Sequence, residues 1–198
     1  PDWVRIGDPV WPTPRRYALP SGGVDYIYEN TALILFPVRI DDTDREIRTD
    51  LEITATVEWL VCQEACLPGE ATITLNIPVN RTSEPSKPEA PLFAFAKARL
   101  PQPAAANANI TARFVGDTLT VTVPGSAEIE FFPYETESLA KPADPLAQGV
   151  SQTGTLRVAY TRVPTDRPTI DGVLRVLDAA GAERFYDIRV PVEPPGAP

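Results

Sequence analysis

Two runs of strict two-residue alternation flank the only cysteines in the chain and leave the backbone between them few options. Leu51, Ile53, Ala55, Val57, Trp59 and Val61 fall on one face. Glu52, Thr54, Thr56, Glu58, Leu60 and Cys62 fall on the other. Beyond Cys66, Ala71, Ile73, Leu75 and Ile77 alternate with Thr72, Thr74 and Asn76. A period of two marks a β-strand with one face to cover. Continued straight, such a strand would hold the two cysteine Cα atoms roughly 13 Å apart, whereas a disulfide needs about 5.5–6 Å. For the sulfurs to meet, Gln63, Glu64 and Ala65 must turn. The segment then becomes a hairpin with both sulfurs at its tip and Cys62 on the polar face.

Three chemistries fit this spacing. An inert disulfide is the first, although closing a loop of about five residues gains only about 2 kcal/mol in the chain-entropy picture, less than a bridge between distant strands. A redox-active pair is the second. The third is a metal clip: two thiolates suit Cu(I), whereas tetrahedral zinc would need two more ligands, and carboxylates such as Glu64 would have to supply them. Glu58, Glu64 and Glu70 lie close by, with no Lys or Arg between Leu51 and Ala71. Acidic neighbours disfavour the thiolate. Such a pair is either inert or works only inside a complex.

Composition removes several other functions. Net charge is −9, which argues against a nucleic-acid partner, since phosphate contacts need clustered Lys and Arg. The chain has no histidine, so Ser-His-Asp and Cys-His catalysis and the commonest zinc ligand are absent. It has no methionine either, and the expectation is a processed, exported chain or a fragment. The apolar run Thr31–Phe36 is far too short to span a bilayer. The 198 residues leave room for one large or two ordinary domains. The 23 prolines, with Thr/Val/Ile-rich runs, favour short strands over long helices.

Along the chain, an irregular proline-rich start precedes a strand at 31–40, the acidic turn Asp41–Asp44 and the hairpin. From 80 to 107 the composition shifts to Pro, Ala, Ser and Lys, which reads as a linker. Within it, residues 91–100 have the makings of a short helix or of an Ala-rich tether. Strands follow at 109–115, 118–123, 128–134, 155–160, 172–177 and 183–192. Gly116-Asp117 and 178–181 give hairpin turns. The expectation is an all-β protein of two sandwich domains: 1–85 with the cysteines, a Pro/Ala-rich linker at 86–107, and 108–198.

Other candidates are weaker. Trp3, Trp11 and Trp59 read as packing anchors. Tyr26 and Tyr28 either cover the thiols or pack on the sandwich. Asp41–Asp44 lacks the glycine and terminal glutamate of an EF-hand loop and reads as a solvated turn. Ser138, Ser151 and Thr153 have no base near them in sequence, so no hydrolase activity is assigned.

The run from Val57 to Ala71, with Val61-Cys62 and Cys66-Leu67-Pro68 at its centre, resembles the N-terminal periplasmic domain of the DsbD family of transmembrane thiol–disulfide reductants, in its suppressor of copper sensitivity B (ScsB) branch. Upstream, Trp11-Pro-Thr-Pro-Arg-Arg16, Tyr26-Ile-Tyr28 and Leu35-Phe-Pro-Val38 are similar to the family's Trp-Pro element, tyrosine-containing turn and Leu-Pro strand, in the same order. The resemblance spans roughly residues 1–100. It implies an immunoglobulin-like fold and a periplasmic module that takes electrons from the membrane thiol-reductant domain of the same protein. It implies soluble periplasmic thioredoxin-like or peroxiredoxin partners, a link to copper tolerance and no bound cofactor. By position, Cys62 and Cys66 become the redox pair, with Cys66 forming mixed disulfides and Cys62 resolving them. Tyr26, Tyr28, Glu64 and Pro68 become candidates for shielding or partner contact. Two readings compete with this one: an exported binding or chaperone-like module with an inert disulfide, and a copper-thiolate carrier.

Overall fold

In a computed structural model the protein is described at residues 3–19, 23–41, 50–62, 65–79, 88–104, 109–134, 149–160 and 169–192. In chain order its elements are β1 (Val4–Ile6), β2 (Arg15–Ala18), β3 (Val24–Ile27), β4 (Val38–Ile40), β5 (Asp50–Cys62), β6 (Cys66–Pro78), α1 (Ala90–Ala98), β7 (Gln102–Pro103), β8 (Thr111–Val115), β9 (Thr118–Thr122), β10 (Ser126–Pro133), β11 (Val150–Ser151), β12 (Thr155–Ala159), β13 (Thr169–Asp178) and β14 (Glu183–Pro191). The all-β class holds, with one short helix. Among the described residues no helix is long and apolar enough to cross a membrane.

The elements group into two compact units, Pro1–Ile6 with Val38–Ala90, and Gly7–Pro37 with Pro91–Pro198. The sequence divides differently, at 85 and 107. Residues 7–37 belong with the C-terminal strands because they pack on them, and α1 and β7 fall inside the expected linker.

In the first unit β1 pairs antiparallel with β4, Val4 opposite Ile40 and Ile6 opposite Val38. Arg5 and Arg39 both reach the Asp41 carboxylate, at 2.9 and 3.5 Å. The strand expected at 31–40 shrinks to β4; Leu35, in the second unit, makes only an isolated bridge to Val10 of the same unit. Pro37 offers no N–H to a ladder, and Asn30, at φ 61°, turns the chain just upstream. The other sheet of this unit is the two-stranded β5–β6 ribbon.

The second unit contains a sandwich. One sheet has the order β11-β10-β13-β14-β7, the other β12-β9-β8. All pairings are antiparallel except β7 with β14. Alternation explains the core: Phe114, Leu119, Val121, Leu156 and Val158 point in from the smaller sheet, and Ile129, Phe131, Leu174, Val176, Ile188 and Val190 meet them from the larger. Phe114 and Tyr160 pack edge to face at 5.4 Å. The two hairpin signals are real turns. Gly116 (φ 66°) joins β8 to β9 and Gly181 (φ 84°) joins β13 to β14. There the Asp178 carboxylate accepts from the Ala180 and Ala182 N–H groups, each at 2.9 Å.

The outer face of the larger sheet is covered by the β2–β3 ribbon, which the sequence did not announce. Tyr26 packs on Phe132 at 5.3 Å, beside Val173 and Phe185. Arg16, the cross-strand partner of Tyr26, donates to the Phe131 carbonyl at 3.0 Å. Its guanidinium lies 5.6 Å from the Tyr26 ring and 5.7 Å from the Phe132 ring. Guanidinium nitrogens without hydrogen-bond partners thus face aromatic faces, and Glu130 stands 3.9 Å away. Next to this clamp Arg175 donates to Glu128 (2.7 Å), Glu130 (2.8 Å) and Glu183 (2.6 Å). Arg99, which follows α1, adds a 3.5 Å contact to Glu183 and stacks over Phe185. Ala96 of α1 is buried, while Leu92, Phe93 and Phe95 stay exposed.

Two outcomes follow from this polar face. Arg16→Lys replaces a planar, stackable guanidinium by a point charge, and should destabilise the protein by about 1–2 kcal/mol in urea unfolding monitored by tyrosine and tryptophan signals. Desolvation pushes the Glu183 carboxyl up, but the Arg175 hydrogen bonds and the Arg175 and Arg99 charges together hold it below its ordinary value of 4.5. A depressed carboxylate stabilises the fold above its unfolded pKa, and that contribution is lost as pH falls through the folded value. Glu183→Gln should therefore lower the melting temperature at neutral pH and flatten its decline below about pH 4.5, read by thermal melts across pH.

Candidate functional site: the cysteine end of the β5–β6 ribbon

Residues 50 to 62 pair with 78 to 66 in one continuous antiparallel register, from Asp50 opposite Pro78 to Cys62 opposite Cys66. No bulge interrupts it. A period of two then fixes each face. On one lie the pairs Glu52/Asn76, Thr54/Thr74, Thr56/Thr72, Glu58/Glu70, Leu60/Pro68 and Cys62/Cys66. On the other lie Leu51/Ile77, Ile53/Leu75, Ala55/Ile73, Val57/Ala71, Trp59/Gly69 and Val61/Leu67. Threonine hydroxyls bond across the ribbon, Thr54 to Thr74 at 3.1 Å and Thr56 to Thr72 at 3.2 Å. Trp59 lies over Gly69, where any Cβ would fall inside the indole.

At the tip Cys62 and Cys66 form a disulfide, S–S 2.03 Å, with Cα atoms 4.1 Å apart. That separation belongs to the close class of directly opposed cross-strand residues. Both cysteines are exposed, and the residues around them are apolar and accessible: Leu60 is 68% and Leu67 67% exposed. A depression on this end is lined by Glu58, Trp59, Leu60, Pro68, Gly69 and Glu70. The geometry can present a sulfur–sulfur bond to another protein beside the exposed side chains of Leu60, Val61 and Leu67.

The structure distributes the other candidates unevenly. Pro68 lies on the cysteine face, opposite Leu60. Glu64 lies outside the described residues. Tyr26 and Tyr28 belong to the second unit. There Tyr26 packs against Phe132. Tyr28 stacks on Trp11 at 5.9 Å and donates its hydroxyl to the Pro12 carbonyl at 3.0 Å, and burial pushes its pKa up. Ser151 donates to the Thr155 carbonyl at 2.7 Å within a turn, and Ser138 is outside the described residues. No group of three or more potential metal ligands gathers among the described residues. The direct opposition of Glu58 to Glu70, and of Trp59 to Gly69, was present in the sequence as a constant sum of paired residue numbers, once the turn is placed at 63–65.

Filling the space beneath the indole tests the ribbon. Gly69→Ala should cost about 1–3 kcal/mol and shift the emission of Trp59 toward that of a solvated indole. A Trp59→Phe background, in which the mutation moves no fluorescence, identifies the reporter.

Residues 1–78 match the family described as thiol:disulfide interchange protein DsbD, N-terminal. Among solved structures the chain is similar to the N-terminal periplasmic domain of ScsB from Proteus mirabilis, at 14% identity and TM-score 0.49, covering 96% of this chain and 77% of that one. No curated protein sequence matches the chain. The DsbD match and the Cys62–Cys66 disulfide support a thiol–disulfide exchange module. The match to the DsbD N-terminal family over residues 1–78 contains both the cysteine motif and the Trp-Pro element that resemble that family in the sequence.

Proposed function

We propose that Cys62 and Cys66 are the redox pair of a periplasmic module that relays two electrons by thiol–disulfide exchange. The observation that carries this reading is an exposed disulfide at the end of a ribbon, flanked by exposed Leu60, Val61 and Leu67, within the DsbD-matching segment. In the reduced state the Cys66 thiolate attacks a partner disulfide and expels one partner sulfur as a thiolate, which takes up a proton. The Cys62 thiolate then attacks the Cys66 sulfur, closing Cys62–Cys66 and releasing the second partner sulfur. One disulfide is reduced, one dithiol is oxidised, and no cofactor takes part. The membrane thiol-reductant domain of the same protein would restore the dithiol. Soluble periplasmic thioredoxin-like or peroxiredoxin proteins would accept the electrons. Pro68 and Leu60, next to the sulfurs on the same face, are the partner contacts.

Trapping tests the roles. Cys62→Ser should accumulate a mixed disulfide with a periplasmic thiol protein on non-reducing gels, because the escape route is gone. Cys66→Ser should accumulate none. The opposite pattern would reverse the roles. A reduction potential below about −300 mV would make the pair a structural bond and the chain a binding module. With only carboxylates for charged neighbours on the ribbon, the reduced pair should also react with iodoacetamide at pH 7 no faster than free cysteine.

A further inference from the structure

The face that carries the disulfide presents three cross-strand pairs in order: Cys62/Cys66, Leu60/Pro68, then Glu58/Glu70. Each step along the face is about 7 Å, so the carboxylates stand about 13 Å from the sulfurs. Like charges directly opposed on a ribbon are unfavourable. No Lys or Arg lies between Leu51 and Ala71, and among the described residues neither glutamate has an ion-pair partner. Both glutamates also line the depression at this end, beside exposed Leu60. We propose that this strip is the docking surface for a thiol protein carrying a Lys or Arg about 13 Å from its own reactive cysteine, with an apolar side chain between them.

Charge complementarity selects that occupant. A cation set between Glu58 and Glu70 relieves their repulsion only in the complex, and it steers encounter between the two surfaces. A second copy of this chain would bring carboxylates against carboxylates. The inference rests on the redox reading of Cys62 and Cys66 and adds to it the kind of partner that the pair serves.

The test uses the full chain, reduced, and three synthetic peptides. Each peptide carries a cysteine as its thiopyridyl disulfide, a leucine two residues on, and Lys, Gln or Glu four residues on. The reduced pair converts each peptide disulfide to the peptide thiol and thiopyridone while Cys62–Cys66 closes, and thiopyridone absorbance reports the rate. At low ionic strength the Lys peptide should react about tenfold faster than the Glu peptide, with Gln between them, and salt should close the gap. In Glu58→Gln/Glu70→Gln the gap should fall to about twofold or less. Asp8→Asn/Asp25→Asn, which removes the same charge from exposed sites in the second unit, should leave the gap intact. Equal rates for the three peptides, or a gap that survives Glu58→Gln/Glu70→Gln, would overturn the docking inference while leaving the redox reading standing. Release of no thiopyridone from any peptide would overturn both.

Discussion

The pairing register of β5 and β6 decides what the cysteine end can do. Paired residue numbers keep a constant sum from Asp50/Pro78 to Cys62/Cys66. A slip of one residue would move every side chain to the opposite face. It would part the sulfurs, break the threonine ladder and turn Trp59 away from Gly69. The register is held at several points along its length by contacts of different kinds. Thr54–Thr74 and Thr56–Thr72 bond on one face, and Trp59 covers the glycine opposite on the other. The disulfide is therefore the last rung of an already specified ladder.

The second unit obeys the same rule of alternation but uses both faces of a sheet. Inward residues of β10, β13 and β14 build the apolar core with the smaller sheet. Outward residues of the same strands, among them Glu128, Glu130, Arg175 and Glu183, make a connected ionic patch. Arg16 and Tyr26 join that patch to the N-terminal ribbon. A charged group in such a position is valuable only while its partners remain, since a half-buried carboxylate or guanidinium left alone is costly. The patch thus ties distant parts of the sequence into one unit: residue 16, residue 99 and three strands beyond residue 125.

Much of this was legible in the sequence wherever the determining signal is local. The alternation at 51–61 and 71–77, Gly116-Asp117 and the turn at 178–181 each appear within one element, and each strand or turn formed there. The cysteine pairing also follows from local pattern plus the length of a turn. Association of residues 7–37 with the C-terminal strands was not legible. It depends on Arg16 reaching Phe131 and on Tyr26 meeting Phe132 across more than a hundred residues, and periodicity carries no information at that range. Prolines at 9, 12 and 14 hid β2 as well, because they sit just outside a strand only four residues long. The apolar, Ala-rich run at 91–100 left a helix and a tether equally open, and it forms helix α1. Its place inside an expected linker was not legible, since a buried Ala96 leaves no mark on composition.

The position of the disulfide has a topological consequence. The covalent ring that it closes contains only residues 62–66. Cutting the bond restores to the unfolded chain the freedom of about five residues, a term of about 2 kcal/mol in the chain-entropy picture. A bridge between remote strands would enclose a long loop and make every reduction a test of the whole fold. Here the stability at stake in each reduction is limited to that short-loop term, about 2 kcal/mol, rather than the larger one a long-range bridge would carry.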